Sequence, residues 1–330
     1  MNISKPNIKM TDNVNNNLDK IVRKYGRRFK IHYRQFEIPV ILEKTINNYI
    51  NYYEMYYDMK ERTHWLLPLY IKFIDISPCE NTHTNKIDDN ITTCYISNVH
   101  RTSTITGTQM MEIIIKLLEI IGIKTIKIYD DAHINCKTKK ETIDLTLFKL
   151  IEKQRGFYEK FGFEYDFSCP KKELLYEIGT RERAKYILSK SIYFLQNNSV
   201  EDILYNYRKF IDLMRYIKKI KDYKTARLII KFRKGLIIYS PDENSIKFRS
   251  ILKDLTNLIR LLIKYKKMTI QDAIIKMFYT NCESYLNLIM YTADMELRGI
   301  KYKNKLVKLK LPIILDELHT IRHISLIKKL

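Results

Sequence analysis

Two patterns of apolar positions divide the chain near Pro170. Before that residue, short runs of β-branched and aromatic residues predict strands at about 29–36, 69–76, 91–99 and 123–129. Apolar residues at helical spacing predict helices at 40–62 and 108–121, and Gly122 suits the left-handed residue that ends a helix. The order of these elements favours an α/β (α+β) fold for this part of the chain, with a mixed sheet flanked by helices.

After Pro170 the spacing of apolar residues is helical almost throughout. The predicted helices lie at 171–197, 199–220, 245–267, 269–278 and 281–298, and a predicted strand pair lies at 227–239. The polar, Asn-rich start of the chain has too little apolar surface to bury and is predicted to be a flexible tail. We therefore predict a tail at 1–27, an α/β domain at 28–170 and a mostly α-helical second domain at 171–330.

Positive charge is concentrated in the predicted helical domain. The chain has 59 Lys and Arg against 37 Asp and Glu, a formal net charge of +22, and 171–330 holds 34 of the basic and 16 of the acidic residues. Several basic runs contain aromatic residues, as KYKNKLVKLK at 301–310 does. Such a surface can bind nucleic acid or another polyanion. The alternative is that these lysines are scattered over solvated helix faces.

Neither a signal peptide nor a membrane span is predicted, because the first residues are polar and the apolar run at 113–121 is interrupted by Lys116 and Glu119. The five cysteines are scattered without a C-x-x-C pair, and we interpret them as reduced thiols. These features predict a cytoplasmic protein. Abundant Tyr and Lys with only 8 Gly and 7 Pro are typical of AT-rich coding sequence, such as that of a large DNA virus. For a viral protein, the expected location is the host cytoplasm, a virus factory or the virion.

Two further groups of residues have candidate chemistry. His319 and His323 are four residues apart on a predicted helix, but no third ligand has suitable spacing, so no metal site is predicted. Several tyrosines within the predicted helix at 40–62 recur at helical spacing: Tyr49, Tyr52, Tyr53, Tyr56 and Tyr57. They predict either a stacking surface for bases or a helix face packed on the sheet.

The most specific string in the chain is GFYEKFGFE at 156–164. It resembles the FYEKxGF segment near the end of GCN5-related N-acetyltransferase (GNAT) domains, where an aromatic-Tyr pair closes a helix and Gly-Phe begins the next strand. Residues 96–130 resemble the acetyl-CoA segment of the same family, which consists of a strand, a phosphate-binding turn, a helix of about four turns, a glycine and another strand. The resemblance covers roughly 65–168, and 28–64 only loosely.

The resemblance implies a GNAT-like sheet that binds acetyl-CoA and an amine acceptor. In the family, backbone N–H groups of the turn and of the helix start hold the pyrophosphate. The residues at that place here are Arg101, Ile105, Thr106, Gly107, Thr108 and Gln109. The family pattern Arg/Gln-x-x-Gly-x-Gly/Ala matches at Gly107, while Thr102 and Ile105 depart from it, and Arg101 fits after a shift of one residue.

Tyr158 matches the family tyrosine that protonates the departing CoA thiolate, and its alternative role is that of an aromatic residue in the core. Asp130 and Asp131 follow a predicted strand and are candidates for a general base, but acidic residues at a strand end are more often solvated. Two functions follow from the resemblance. The chain is predicted to be an acetyl-CoA-dependent N-acetyltransferase, or else a catalytically degenerate GNAT-like scaffold whose basic helical domain binds nucleic acid or a viral structural partner.

Overall fold

The computed structural model of the chain describes residues 14–47, 50–58, 69–73, 92–128, 133–136, 142–166, 180–222, 224–232, 235–239, 246–293, 297–322 and 326–330. The chain divides into two compact units, each discontinuous in sequence. Unit 1 contains 1–130, 158–177 and 324–330, and unit 2 contains 131–157 and 178–323. This division differs from the predicted domains 28–170 and 171–330, because 131–157 joins the second unit and the C-terminal residues return to the first.

The strands of the described residues are, in chain order, β1 (Arg28–Tyr33), β2 (Phe36–Asn47), β3 (Ile50–Tyr57), β4 (Leu69–Phe73), β5 (Thr93–Val99), β6 (Thr125–Ile128), β7 (His133–Asn135), β8 (Thr142–Asp144), β9 (Glu164–Tyr165), β10 (Ala226–Phe232), β11 (Gly235–Tyr239), β12 (Leu297–Tyr302), β13 (Lys305–Lys308) and β14 (Leu326–Lys329). The helices are α1 (Val14–Tyr25), α2 (Gly107–Ile121), α3 (Leu145–Lys153), α4 (Arg181–Asn197), α5 (Val200–Ile220), α6 (Ile246–Leu262), α7 (Ile270–Thr280), α8 (Cys282–Ala293) and α9 (Lys310–Arg322). The predicted mixed α/β fold is thereby confirmed.

Unit 1 is built on a mixed sheet with the strand order β1-β2-β3-β4-β5-β6-β14-β9. Its first five strands are antiparallel, β5 and β6 are parallel, and β14 pairs antiparallel with both β6 and β9. A parallel pair requires a crossover connection, and α2 provides it. Helices α1 and α2 contact each other, and Asn17 Nδ2 donates to the Ile121 carbonyl at 2.7 Å.

The predicted helix at 40–62 is wrong, because the described part of this segment forms β2 and β3. Tyr-Tyr pairs at 52–53 and 56–57 place one ring on each face of the sheet, and Tyr52, Tyr53 and Tyr56 are all buried. A strand that buries both faces loses the alternation by which strands are recognised, so spacings of three and four arose by coincidence. Tyr49 lies outside the described residues.

The predicted tail at 1–27 is also corrected, because 14–25 form the amphipathic helix α1. Its apolar residues Val14, Leu18 and Ile21 are buried, and the run of asparagines between them had hidden their helical spacing. The predicted helix at 108–121 is confirmed as α2, and it ends at Gly122 with the left-handed φ of 95°.

Unit 2 is mostly helical and contains two small sheets. One sheet has the order β11-β10-β12-β13, which confirms the predicted strand pair at 227–239, and the other is the β7-β8 hairpin. Helix α5 is capped by Ser199, whose hydroxyl accepts from the Asp202 N–H while the Asp202 carboxylate accepts from the Ser199 N–H. The predicted helix at 281–298 ends at Ala293, and Leu297 begins β12.

The cysteines of unit 2 correct a further prediction. Cys136 and Cys282 form a disulfide that joins the residue after β7 to the first residue of α8, so not all five cysteines are reduced thiols. Cys94 in β5 is a free, buried thiol. Within the described residues, none of the helices is long and apolar enough to cross a bilayer.

Candidate functional site

The candidate site lies where the parallel strands β5 and β6 lead to the start of α2. The described pairing of these strands runs from Thr93 with Thr125 to Ile96 with Ile128, and β5 extends three residues beyond Ile96. The carboxyl end of β5 therefore leads into the turn at 100–106 beyond the paired part of the strands. A helix that starts just past the end of a parallel strand is a common place for a ligand in α/β sheets.

The turn before α2 is closed by the hydroxyl of Thr102. Thr102 Oγ1 accepts from the N–H groups of Thr104 and Ile105, at 3.3 and 3.0 Å, and the Thr102 N–H donates to the Ile105 carbonyl at 2.9 Å. The Ile105 side chain is buried and anchors the turn to the core. Thr102 thus occupies two N–H groups that a glycine-rich turn would leave for a phosphate.

The first turn of α2 leaves two donors for a ligand. Thr106 caps the helix: its hydroxyl accepts from the Gln109 N–H at 3.3 Å, and the Gln109 side chain accepts from the Thr106 N–H at 2.9 Å. The N–H groups of Gly107 and Thr108 have no hydrogen-bond acceptor among the described residues. These two groups and the positive end of the helix dipole favour an anion at this position.

The FYEKFGF segment reaches the same helix start. Tyr158–Phe161 form a single 3-10 turn, and Gly162 continues the chain with a φ of 83°, a conformation that glycine adopts without strain. Lys160 Nζ donates to Thr108 Oγ1 at 2.7 Å, although 52 residues separate them in sequence. An ammonium group therefore lies at the side chain of Thr108, on the first turn of α2.

A second lysine lies near this turn. The Nζ atom of Lys328 in β14 is 3.2 Å from the position that a Cβ of residue 162 would occupy. Because β14 pairs with β9, which directly follows the Tyr158–Phe161 turn, the sheet itself brings Lys328 to Gly162. The sequence carried no signal for this contact, since Lys328 is far from the motif along the chain, whereas Lys160 lies within it.

Tyr158 is part of the core of unit 1. It is 7% exposed, and its ring meets Phe163 edge to face with centroids 6.0 Å apart. Tyr158 is two residues from Lys160 on the same turn. Arg101 is exposed and lies five residues before the Thr106 cap, and no contact described in the structure joins it to that cap.

A carboxylate on the sheet forms another polar centre in unit 1. Glu54 in β3 accepts from Thr45 Oγ1 at 3.0 Å and from the Tyr70 hydroxyl, and Lys72 Nζ lies 4.0 Å from it. Burial and the hydrogen bond to Glu54 raise the pKa of Tyr70 above its usual range. Two hydroxyl donors and a nearby ammonium group engage Glu54, which favours a structural role over that of a free base. Asp130 and Asp131 lie outside the described residues.

The described residues contain no group of three or more His, Cys, Asp and Glu side chains that could hold a metal ion. His323, one of the two histidines considered above, lies outside them. Comparisons of the chain with protein-family models, with curated proteins and with solved structures give no match.

Proposed function

We propose that unit 1 is a GNAT-like N-acetyltransferase domain that transfers the acetyl group of acetyl-CoA to an amine. The observation that carries this proposal is the contact of Lys160 with Thr108, which brings the FYEKFGF segment to the start of α2. In the sequence, these two segments are linked only by their shared resemblance to the family. Their meeting at two free N–H groups supports a binding site for the CoA pyrophosphate.

The residues present suit a pyrophosphate group. Gly107 and Thr108 offer backbone N–H groups, Lys160 offers a charge-assisted hydrogen bond, and α2 contributes its dipole. A bound phosphate oxygen would replace Thr108 Oγ1 as an acceptor for Lys160. The capping pair of Thr106 and Gln109 then keeps the helix start rigid and does not itself contact the anion.

In the proposed reaction acetyl-CoA supplies an activated thioester. The neutral amine attacks the carbonyl carbon, the new N–C bond forms, and the C–S bond breaks. The Tyr158 hydroxyl would donate its proton to the leaving thiolate and regain one from solvent, while the proton of the new ammonium group passes to solvent or to a base. Burial of Tyr158 beside Phe163 keeps its ring in one orientation for this transfer.

One observation favours the second function, a GNAT-like scaffold without catalysis. The hydroxyl of Thr102 already takes the N–H groups of Thr104 and Ile105, so the turn itself has fewer free donors than the family pattern implies. A site with only Gly107, Thr108 and Lys160 as donors would hold a phosphate weakly. Binding must therefore be measured before turnover.

Calorimetric titration of the full chain with acetyl-CoA separates the two functions. The acetyltransferase proposal predicts saturable binding, and release of free CoA thiol when a mixture of polyamines and lysine peptides is added. The Tyr158→Phe variant keeps the ring and should bind acetyl-CoA while losing roughly 100-fold or more in turnover. Absence of heat and of any thermal shift at millimolar acetyl-CoA would exclude the enzyme and leave the scaffold.

A further inference from the structure

Helix α5 in unit 2 has one buried face and one face that is basic and aromatic. The buried face includes Tyr207, Phe210, Met214 and Ile217, each 0% exposed. The opposite face presents Tyr205, Arg208, Lys209, Arg215, Tyr216 and Lys219 to solvent. Tyr205 and Tyr216 are 61% and 51% exposed, although tyrosine rings gain free energy from burial. Exposed rings on a helix that already has a complete apolar face indicate a contact surface.

Aromatic rings and ammonium groups lie side by side at both ends of this face. Lys209 Nζ is 4.2 Å from the centroid of the Tyr205 ring. Towards the end of the helix, Tyr216 meets Tyr302 edge to face with centroids 6.2 Å apart, and Lys303 Nζ is 5.3 Å from the Tyr302 ring. Tyr302 is only 4% exposed, so Tyr205 and Tyr216 are the rings that this face opens to solvent. An exposed ring and a nearby cation are the two features that a nucleotide contacts through its base and its phosphate.

The hairpin β12-β13 extends the positive charge of the helix. It contacts α5 through β13, and the Tyr302 hydroxyl donates to Asp222, just after the helix, at 2.9 Å. Its turn and second strand expose Lys303, Lys305 and Lys308. The Asp212 carboxylate on α5 lies 3.8 Å from the guanidinium group of Arg215. Acidic side chains thus offset only part of the positive charge of this face.

We propose that this surface, the basic–aromatic face formed by Tyr205, Arg208, Lys209, Arg215, Tyr216 and Lys219 with the hairpin lysines 303 and 305, binds single-stranded nucleic acid. Unpaired bases can stack on exposed tyrosine rings, whereas the bases of a duplex are already stacked on one another. The proposal concerns unit 2 and holds whether or not unit 1 binds acetyl-CoA.

Fluorescence anisotropy with a labelled oligothymidine of about 20 nucleotides tests the proposal on the full chain. We expect binding at low salt that weakens steeply between about 50 and 200 mM salt. The Arg215→Glu/Lys219→Glu variant should lower the slope of log affinity against log salt by about 0.7 for each lost phosphate contact. Tyr205→Leu and Tyr216→Leu should each weaken binding roughly tenfold, and Tyr205→Phe should retain it because its ring still stacks.

Matched variants elsewhere in unit 2 serve as controls. Lys153→Glu/Lys276→Glu makes the same change in net charge on α3 and α7, and Tyr279→Leu removes another exposed ring, 62% exposed. The proposal requires that these controls bind the oligonucleotide as the unchanged protein does, with equal melting temperatures for all variants. It is overturned if oligothymidine does not bind at low salt, if the controls lose as much affinity, or if the Tyr→Leu variants bind normally. Preference for a matching duplex or for anionic phospholipid vesicles would also overturn it.

Discussion

At the scale of single residues, the candidate site depends on which N–H groups are already occupied. Thr102 closes the turn and Thr106 caps the helix, so Gly107 and Thr108 keep the free donors. Lys160 completes this set from another part of the sequence. Substitution of Lys160 therefore tests the site without disturbing the cap.

We expect Lys160→Ala to weaken acetyl-CoA binding roughly 10- to 100-fold, because a charge-assisted hydrogen bond contributes about 1.5–3 kcal/mol. Calorimetric titration measures this change. Lys116→Ala on the exposed side of the same helix, where Lys116 pairs with Glu119, is the matched control and should bind normally. Equal affinity of Lys160→Ala and the unchanged protein would mean that the lysine does not contact the ligand.

Only part of this arrangement was predictable from the sequence. Gly107, Gly122 and the FYEKFGF segment carry local signals, because glycine positions and helix ends depend on neighbouring residues. The hydroxyl of Thr102 and the approach of Lys328 carry none, since both depend on how the chain returns to the site. The site residues of the sequence prediction, Tyr158 among them, stay predictions until binding is measured.

At the scale of elements, the starts of the helices predicted at 199–220 and 269–278 agree with the structure to within one residue, whereas strand assignments agree less well. Ser199 and Thr269 cap α5 and α7, and such a cap depends on local sequence because it is a contact between residues three positions apart. Strand β3 was mistaken for a helix because its tyrosines are buried on both faces. Burial on two faces is a property of the whole sheet, and a single strand does not encode it.

The Ser199 cap leads to a pH-dependent prediction. Hydrogen bonds from the Ser199 hydroxyl and N–H lower the pKa of the Asp202 carboxyl group below the usual value for an aspartate. A carboxyl group with a lowered pKa stabilises the fold above its unfolded pKa and loses that effect as the pH falls through the folded value. We expect Ser199→Ala to reduce the free energy of unfolding by about 1 kcal/mol at pH 7, and by less near pH 3.

Urea denaturation at the two pH values measures this difference. Ser189→Ala, an exposed residue in the middle of α4, is the control and should change the free energy of unfolding little at either pH. A Ser199→Ala effect that grows as the pH falls would contradict the assigned role of Asp202.

The disulfide between β7 and α8 is a second feature at this scale. It closes a loop of 146 residues, and we expect Cys136→Ser to lower the free energy of unfolding by about 2–5 kcal/mol. Peptide mapping without reductant should recover the linked peptides of Cys136 and Cys282. The Cys94→Ser variant is the control, because it removes a free thiol and should leave the linked peptides unchanged. Alkylation of Cys136 in the unreduced protein would contradict the disulfide.

At the scale of the whole molecule, the sheet of unit 1 is completed by the last residues of the chain. Strand β14 lies between β6 and β9 in the sheet. Unit 1 therefore contains chain segments that come before and after unit 2 in the sequence. The sequence indicated a change of pattern near residue 170 but not this return, because four residues of strand carry little pattern of their own. The return of the chain is seen in the pairing of Leu326 with Ile128 of β6 and with Tyr165 of β9.

Removal of 324–330 should therefore affect unit 1 more than unit 2. Strands β6 and β9 lose their shared partner, and we expect faster hydrogen exchange in β6 and α2 while α5 and α7 remain protected. A matched variant with Leu326→Ala, which removes a buried side chain and keeps the strand, should show a smaller change. Unchanged exchange in β6 after the truncation would contradict the role of β14.

The central claim is that the start of α2 and the FYEKFGF turn together bind the pyrophosphate of acetyl-CoA. Backbone amide resonances report this directly, and with only 8 glycines in the chain the Gly107 signal can be assigned by its substitution. Titration with CoA should shift the amide resonances of Gly107 and Thr108 most, whereas pantetheine, which lacks the pyrophosphate, should leave them nearly unchanged. Saturable CoA binding that leaves both resonances in place, or shifts that cluster in unit 2, would contradict the account.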